Sequence, residues 1–181
     1  MINETNDTLT HKSSLLKIFL GLFMSLLIFI TAIALGTFIK GWAATTSVVI
    51  PSILLEVIIG AAASVPIGFD PFAGAIIAAL GNLVPAPLLL TSFDVIVRKW
   101  TWLGKKLKKA DKLSVKYGKY GVWMLAPLAP FIGVYVGVAV GIILRFRPLL
   151  IFMSLSLGVI IAALVTTYGG DGIKNLLNAS L

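Results

Sequence analysis

Apolar residues gather into five runs along the chain, 15–39, 43–69, 71–97, 121–144 and 148–168, separated by short polar stretches. Each run approaches or exceeds the ~20 residues that an α-helix needs to cross a bilayer core of ~30 Å. The pattern predicts an all-α integral membrane protein, with a polar N-terminal tail over 1–14 and a single membrane domain over 15–181. The first run follows Lys12 and Lys17 as the core of a signal peptide would. At Leu15 to Ile39 it is far longer than the roughly 7–15 apolar residues of such signals, so a retained transmembrane helix is expected.

The runs are not alike inside. Residues 15–39 and 71–97 read as uninterrupted helices, whereas 47–68 carries Pro51, Glu56, Gly60, Ser64, Pro66 and Gly68, and 121–144 carries Pro127, Pro130 and Gly133. Charge decides what the interruptions mean. Segment 98–120 holds nine Lys or Arg against one Asp, which the positive-inside rule assigns to the cytoplasm. If Lys12 and Lys17 are also inside, an even number of crossings separates them from Arg98, yet three apolar runs lie between. One run therefore does not cross. Folded as a re-entrant hairpin that turns around Gly60 to Ser64, 47–68 has arms of about ten residues, each reaching ~15 Å at 1.5 Å per residue. The same treatment of 121–144 keeps Arg145 and Arg147 inside, so that thirteen of fifteen basic residues are cytoplasmic. Five plain crossings, with the amino terminus outside, strand four basic residues on the wrong face.

A repeat in the pattern agrees with this count. A shift of 77 residues carries Gly60 onto Gly137, Pro71 onto Pro148 and Gly81 onto Gly158, and aligns PFAGAIIAALG with PLLIFMSLSLG. Each half is then a broken hairpin followed by a spanning helix, 71–97 in one and 148–168 in the other. Because the halves start on opposite faces, they form inverted repeats, the architecture that places transporter sites near the membrane midplane. The same shift sets Asp70, outside, against Arg147, inside.

Composition narrows the chemistry. The chain of 181 residues is 59% hydrophobic and 12% charged, against about 25% charged in soluble domains. It has no cysteine, which removes disulfides, thiolate metal sites and thiol nucleophiles. Its one histidine, His11, lies in the polar tail, where a solvated residue is expected. Neither a cofactor nor a bound metal is expected, and the chain is not read as an enzyme, since one intramembrane acid without an acidic partner nearby cannot supply lipid-phosphate chemistry. The net charge of +8 sits beside apolar runs rather than on a nucleic-acid-binding surface, so anionic lipid of the inner leaflet is the expected partner and nucleic acid is not.

Several stretches resemble the small multidrug export protein family, short prokaryotic membrane proteins distantly similar to the DedA (SNARE-associated-type) superfamily. They are PSILLE with Pro51 and Glu56, DP at 70–71, GNLVPAP at 81–87, KYGKYG at 116–121, PFIGVYVG at 130–137 and LGVIIAALV at 157–165. Relatives often carry Arg two positions after the Glu, where this chain has Ile58. The resemblance covers roughly 47–169. It implies two re-entrant hairpins in inverted repeats and a transport role in a prokaryotic cell membrane. DedA-like relatives move lipid carriers and phospholipid head groups, often linked to the proton gradient.

Glu56 is the leading functional candidate, because a carboxylate near the bilayer centre costs ~2.5–3.5 kcal/mol or more and so marks an ion or substrate path. Its bland alternative is a cap on backbone amides at a helix break. Asn82 is placed either to satisfy broken backbone or to bind substrate. Pro130 to Gly133 can open amides toward a cavity that Tyr135 lines, while Gly133, Gly137 and Gly141 read first as a close helix-packing series. Arg145 and Arg147 are either a clamp on an anionic head group or a topology signal. Gly60, Pro66, Pro127 and Gly133 are the expected hairpin breaks. In the basic segment Trp100, Leu103, Leu107 and Ala110 recur at helical spacing, which predicts a helix lying on the inner leaflet through Trp100, Trp102, Lys105, Lys106, Lys108 and Lys109. The functional expectation is proton-coupled translocation of a lipid-linked or phospholipid head group. Export of lipophilic cations and a non-transporting membrane scaffold are the alternatives, and homo-oligomerisation is left open.

Overall fold

A computed structural model describes residues 2–99 and 118–179, and every regular element among them is helical. The elements are α1 (Ile2–Lys40), α2 (Trp42–Leu54), α3 (Val57–Ile67), α4 (Pro71–Leu83), α5 (Pro85–Lys99), a 3₁₀ turn at Gly118–Met124, α6 (Leu125–Ile143) and α7 (Pro148–Ala179). Four stretches are long and apolar enough to cross a membrane: Leu15–Lys40, Pro71–Ser92, Gly121–Ile143 and Pro148–Leu176. Trp42–Leu54 and Val57–Ile67 are shorter. This is the organisation of a multi-pass membrane protein. Trp100, Trp102, Lys105, Lys106, Lys108 and Lys109 lie outside the described residues.

The core is built from small residues that let helices approach. On α1 the buried positions are Gly21, Ser25, Ala32 and Gly36, while Phe19, Phe23, Ile30 and Phe38 face outward. Gly21 abuts Pro87 and Thr91 of α5, and Gly36 abuts Thr45 of α2, so α1 is held by one narrow stripe and leaves the rest of its apolar surface facing outward. The expected unbroken helix over 71–97 is interrupted. Pro85 has no amide to continue the ladder, and Val84 N–H tightens onto Gly81 O at 3.2 Å, so α4 ends and α5 sets off afresh.

Residues 42–67 fold back as a helical pair, and the turn differs from the expected one. Leu55 N–H and Glu56 N–H both return to Pro51 O, at 2.8 and 3.3 Å, and Glu56 is extended before α3 begins. The chain therefore reverses at Leu55–Glu56 rather than around Gly60 to Ser64. Gly60 lies inside α3, where a Cβ would overlap Ser52 Oγ and stand 2.8 Å from Val48 O, so its role is close packing of α2 on α3. Pro66 falls in the last turn of α3 and breaks nothing. That helix stops at Gly68, whose φ of 85° suits glycine, with Gly68 N–H on Val65 O and Phe69 N–H on Ser64 O, both 3.1 Å. Asp70 then caps α4 by accepting from Phe72 N–H at 3.3 Å.

The second reversal is at Gly133. Pro127 sits in the first turn of α6, where a proline is tolerated, and is not a break. Pro130 lies within α6, and three residues later Gly133 takes φ 73° and ψ 164°, outside any helix. Contacts with α7 trace the change of direction. Before the break Val122 O accepts from Ser154 Oγ at 2.8 Å, and Ala129 abuts Gly158. After it Gly137 abuts Leu155 and Gly141 abuts Ile151, so the chain travels up α7 and then down it.

The 77-residue spacing recurs in these contacts. A Cβ on Gly81 would lie 3.0 Å from that of Ser52, and one on Gly158 would lie 2.9 Å from that of Ala129. Gly74 meets Ser64 as Ile151 meets Gly141. The cap of α3 also recurs: Arg145 N–H bonds Ile142 O at 2.9 Å and Phe146 N–H bonds Gly141 O at 3.0 Å. Arg145 takes the place of Gly68 and keeps the left-handed backbone, with φ 56°. For an L-residue that conformation costs on the order of 1 kcal/mol.

Candidate functional site

The two reversals meet. Under the 77-residue shift Glu56 corresponds to Gly133, and a Cβ on Gly133 would overlap the Glu56 Oε1 atom. The carboxylate thus occupies the space that glycine leaves open. Gly133 is buried and Glu56 is half-buried. A second link crosses the same seam, where Tyr135 Oη donates to Ile53 O. Tyr135 is exposed and close enough to Glu56 to interact with it electrostatically.

Two helix N-termini converge here. Glu56 occupies the N-cap position of α3 beside the Val57 amide, and the second half of α6 starts at Val134, just past Gly133. Unpaired amides and aligned peptide dipoles make such ends partly positive, which favours a carboxylate between them. On the opposite side the end of α2 presents carbonyls. Ser52 O accepts from Asn82 Nδ2 at 2.8 Å, and Ile53 O takes the Tyr135 hydroxyl. Asn82 is buried behind the break, where it satisfies the backbone, and its Oδ1 has no hydrogen-bond partner among the described residues.

Helix α7 measures where the site lies. Ile151 is level with Gly141 in the second hairpin, and Gly170 is level with Val65 in the first, 3.1 Å from the place of its Cβ. The nineteen steps from one to the other rise about 28 Å. Gly137 lies on Leu155, so one further turn brings Gly133 level with about Val159, close to the middle of that span. The α2–α3 pair and the two arms of α6 lie against different ends of α7, and their turns meet near its middle.

The rim of the site is apolar and outward-facing. Leu54, Leu55, Ile58 and Ile59 surround the first tip, and Leu128, Phe131 and Val136 the second, with Phe131 86% exposed. A carboxylate with such a collar can act as counter-ion to a cation carrying an apolar body, or exchange a proton. Among the described residues no three His, Asp or Glu side chains come together as metal ligands.

Of the candidates named from sequence, Glu56, Tyr135 and Gly133 come together, with half-buried Pro130 one turn away and Asn82 one layer behind. Arg145 and Arg147 are exposed beyond the end of α6, well away from the tips. The Ile53 carbonyl was not anticipated. Gly133 was anticipated as a break, but not as the seat of the carboxylate, although adding the repeat length to Glu56 points to it.

A family model described as "Putative small multi-drug export protein" matches residues 55–165, more than half of the chain, from the tip of the first hairpin to the middle of α7. No curated protein and no solved structure matches the chain significantly.

Proposed function

The chain belongs to the small multi-drug export protein family, and from that footing we propose that it is an exporter of lipophilic cations in which Glu56 alternately holds a proton and the substrate's positive charge. The observation that carries this reading is the Glu56 carboxylate resting on Gly133, where two chain reversals meet inside an apolar collar. In this reading α2–α3 and the 3₁₀ turn with α6 are re-entrant hairpins that enter from opposite faces as inverted repeats. The separation of about 28 Å between their bases along α7, close to a hydrocarbon core of ~30 Å, supports it. Their tips would then lie near the midplane. A substrate would arrive sideways from the lipid, because Leu54, Leu55 and Phe131 offer it an apolar path to the charge.

Protein reconstituted in liposomes with a pH gradient should accumulate a lipophilic cation such as tetraphenylphosphonium, and Glu56→Gln should reduce that flux at least tenfold. Flux unchanged in Glu56→Gln sinks the proposal. Transbilayer movement of a labelled phospholipid under the same gradient, with no cation flux, would instead favour head-group translocation of the DedA-like kind. A scaffold would show neither.

A further inference from the structure

The first repeat is more polar at its heart than the fold requires. Under the 77-residue shift Asn82 corresponds to Val159 and Ser52 to Ala129, and the break at Val84 and Pro85 corresponds to Ile161 and Ala162, where α7 runs on without interruption. The second hairpin packs on α7 with Ala129 and Val159 fully buried in these places. Close packing by itself therefore calls for neither the amide nor the break.

Helices α2 and α4 end side by side. Gly74 meets Ser64 toward the base of the first hairpin and Gly81 meets Ser52 near its tip, so α4 runs from base to tip as α2 does. A Cβ on Gly81 would stand 3.2 Å from Val49 O, which puts the last turns of the two helices in contact. Each C-terminal end carries about half a negative charge, and two parallel ends in contact repel unless a positive charge joins them. Pro85 and Pro87 deepen the deficit, because neither has an N–H. Gly81 O falls back on Val84 N–H at 3.2 Å, and the donor that a continuing helix would give Leu83 O is missing. The nearby basic side chains stand at other levels: Lys40 Nζ lies 3.8 Å from the place of a Cβ on Gly68, at the hairpin base, and Arg145 and Arg147 lie beyond the end of α6.

Asn82 reaches into this junction and is only 1% exposed. Its Nδ2 donates to Ser52 O at 2.8 Å, and the same planar amide holds Oδ1 beside the two helix ends, with no hydrogen-bond partner among the described residues. A buried acceptor without a partner is costly, and here it adds to carbonyl ends that already lack positive charge.

We propose that Asn82 Oδ1 and the carbonyl ends of α2 and α4 bind a sodium ion at the depth of the tips. Two half-charges sum to about one elementary charge, which a monovalent ion neutralises. A calcium or magnesium ion would call for carboxylates, and Glu56, the acid of the first tip, rests on Gly133 instead. The close approach of α2 and α4 at Gly81 favours sodium over the larger potassium ion. Because the ion joins the end of α2, which leads directly into Glu56, its binding and release can move the first tip, and a sodium gradient then acts on the tip separately from protons. The ion site is independent of what Glu56 carries.

Binding of radioactive sodium to the purified full chain in detergent tests this without any transport measurement. Wild type should bind one ion per chain saturably, with potassium competing roughly tenfold more weakly. Asn82→Val, which copies the second repeat, should weaken binding by about tenfold or more, whereas Glu56→Gln should leave it within about twofold. Sodium should raise the unfolding temperature of wild type, relative to choline at equal ionic strength, and not that of Asn82→Val. Asn82→Asp guards against a variant that fails to fold. It keeps an oxygen in place and should bind sodium in exchange for a proton, so that its affinity rises with pH while that of wild type does not. Absence of saturable binding by wild type would overturn the proposal and leave Oδ1 to a buried water, and equal binding by wild type and Asn82→Val would overturn it too. Equal affinity for potassium would overturn the assignment to sodium. Sodium binding without flux of a lipophilic cation would count against the exporter reading and leave the ion site standing.

Discussion

At the scale of single residues, the site depends on one space being empty. Gly133 is glycine for two reasons: its φ of 73° is left-handed, and the room beside it is filled by the Glu56 carboxylate. Gly133→Ala should destabilise the protein by about 1–3 kcal/mol, combining backbone strain with displacement of the carboxylate. The two components separate in a double variant. Glu56→Ala removes the obstructing group, so Gly133→Ala in that background should cost less, by a coupling of about 1 kcal/mol or more, measured from thermal unfolding in detergent. Additive costs would mean that carboxylate and glycine do not share the space.

At the scale of elements, the break in each hairpin lies where a helix ends and the next begins, and the prolines beside it are accessories. Pro51 O gathers two amides at the first tip, and Gly133 interrupts α6 at the second, whereas Pro127 sits in the first turn of α6, where the missing amide costs little, and Pro66 lies in the last turn of α3 without ending it. The hairpin reading makes a sidedness prediction. Single cysteines in place of Ser47 and Phe69, near the two ends of the α2–α3 pair, should be labelled by an impermeant maleimide from one and the same face of the membrane. The chain has no native cysteine to interfere. Labelling from opposite faces would turn that pair into a crossing and remove the midplane site with it.

At the scale of the molecule, small residues govern how the helices assemble. Helix α1 touches the rest through Gly21, Ser25, Ala32 and Gly36, and most of its large apolar side chains face outward. Gly36→Leu, which pushes a side chain into Thr45, should lower stability by about 1–3 kcal/mol. Gly169→Leu, on α7 where nothing lies within 4 Å of a Cβ, should leave the unfolding temperature unchanged or raise it. Equal effects of the two would show that α1 is not docked by that stripe.

Much of this organisation was legible in the chain. Runs of apolar residues determine that it belongs in a bilayer, because no other solvent accommodates them. Gly60, Pro71 and Gly81 and the residues 77 positions later are all places where backbones approach or helices begin, a spacing readable in the chain. Sequence alone could not choose among several glycines and prolines for the place of each turn, because each tolerates a break and only packing selects one. Thus Gly60 became a contact between arms, and Pro85 interrupted a helix that the apolar pattern had joined. Nor could it bring Glu56 to Gly133 or Lys40 to Gly68, pairs separated by 77 and 28 positions. Hydrophobic pattern records what must leave water. Which side chain fills which missing Cβ is decided only when the helices close on one another.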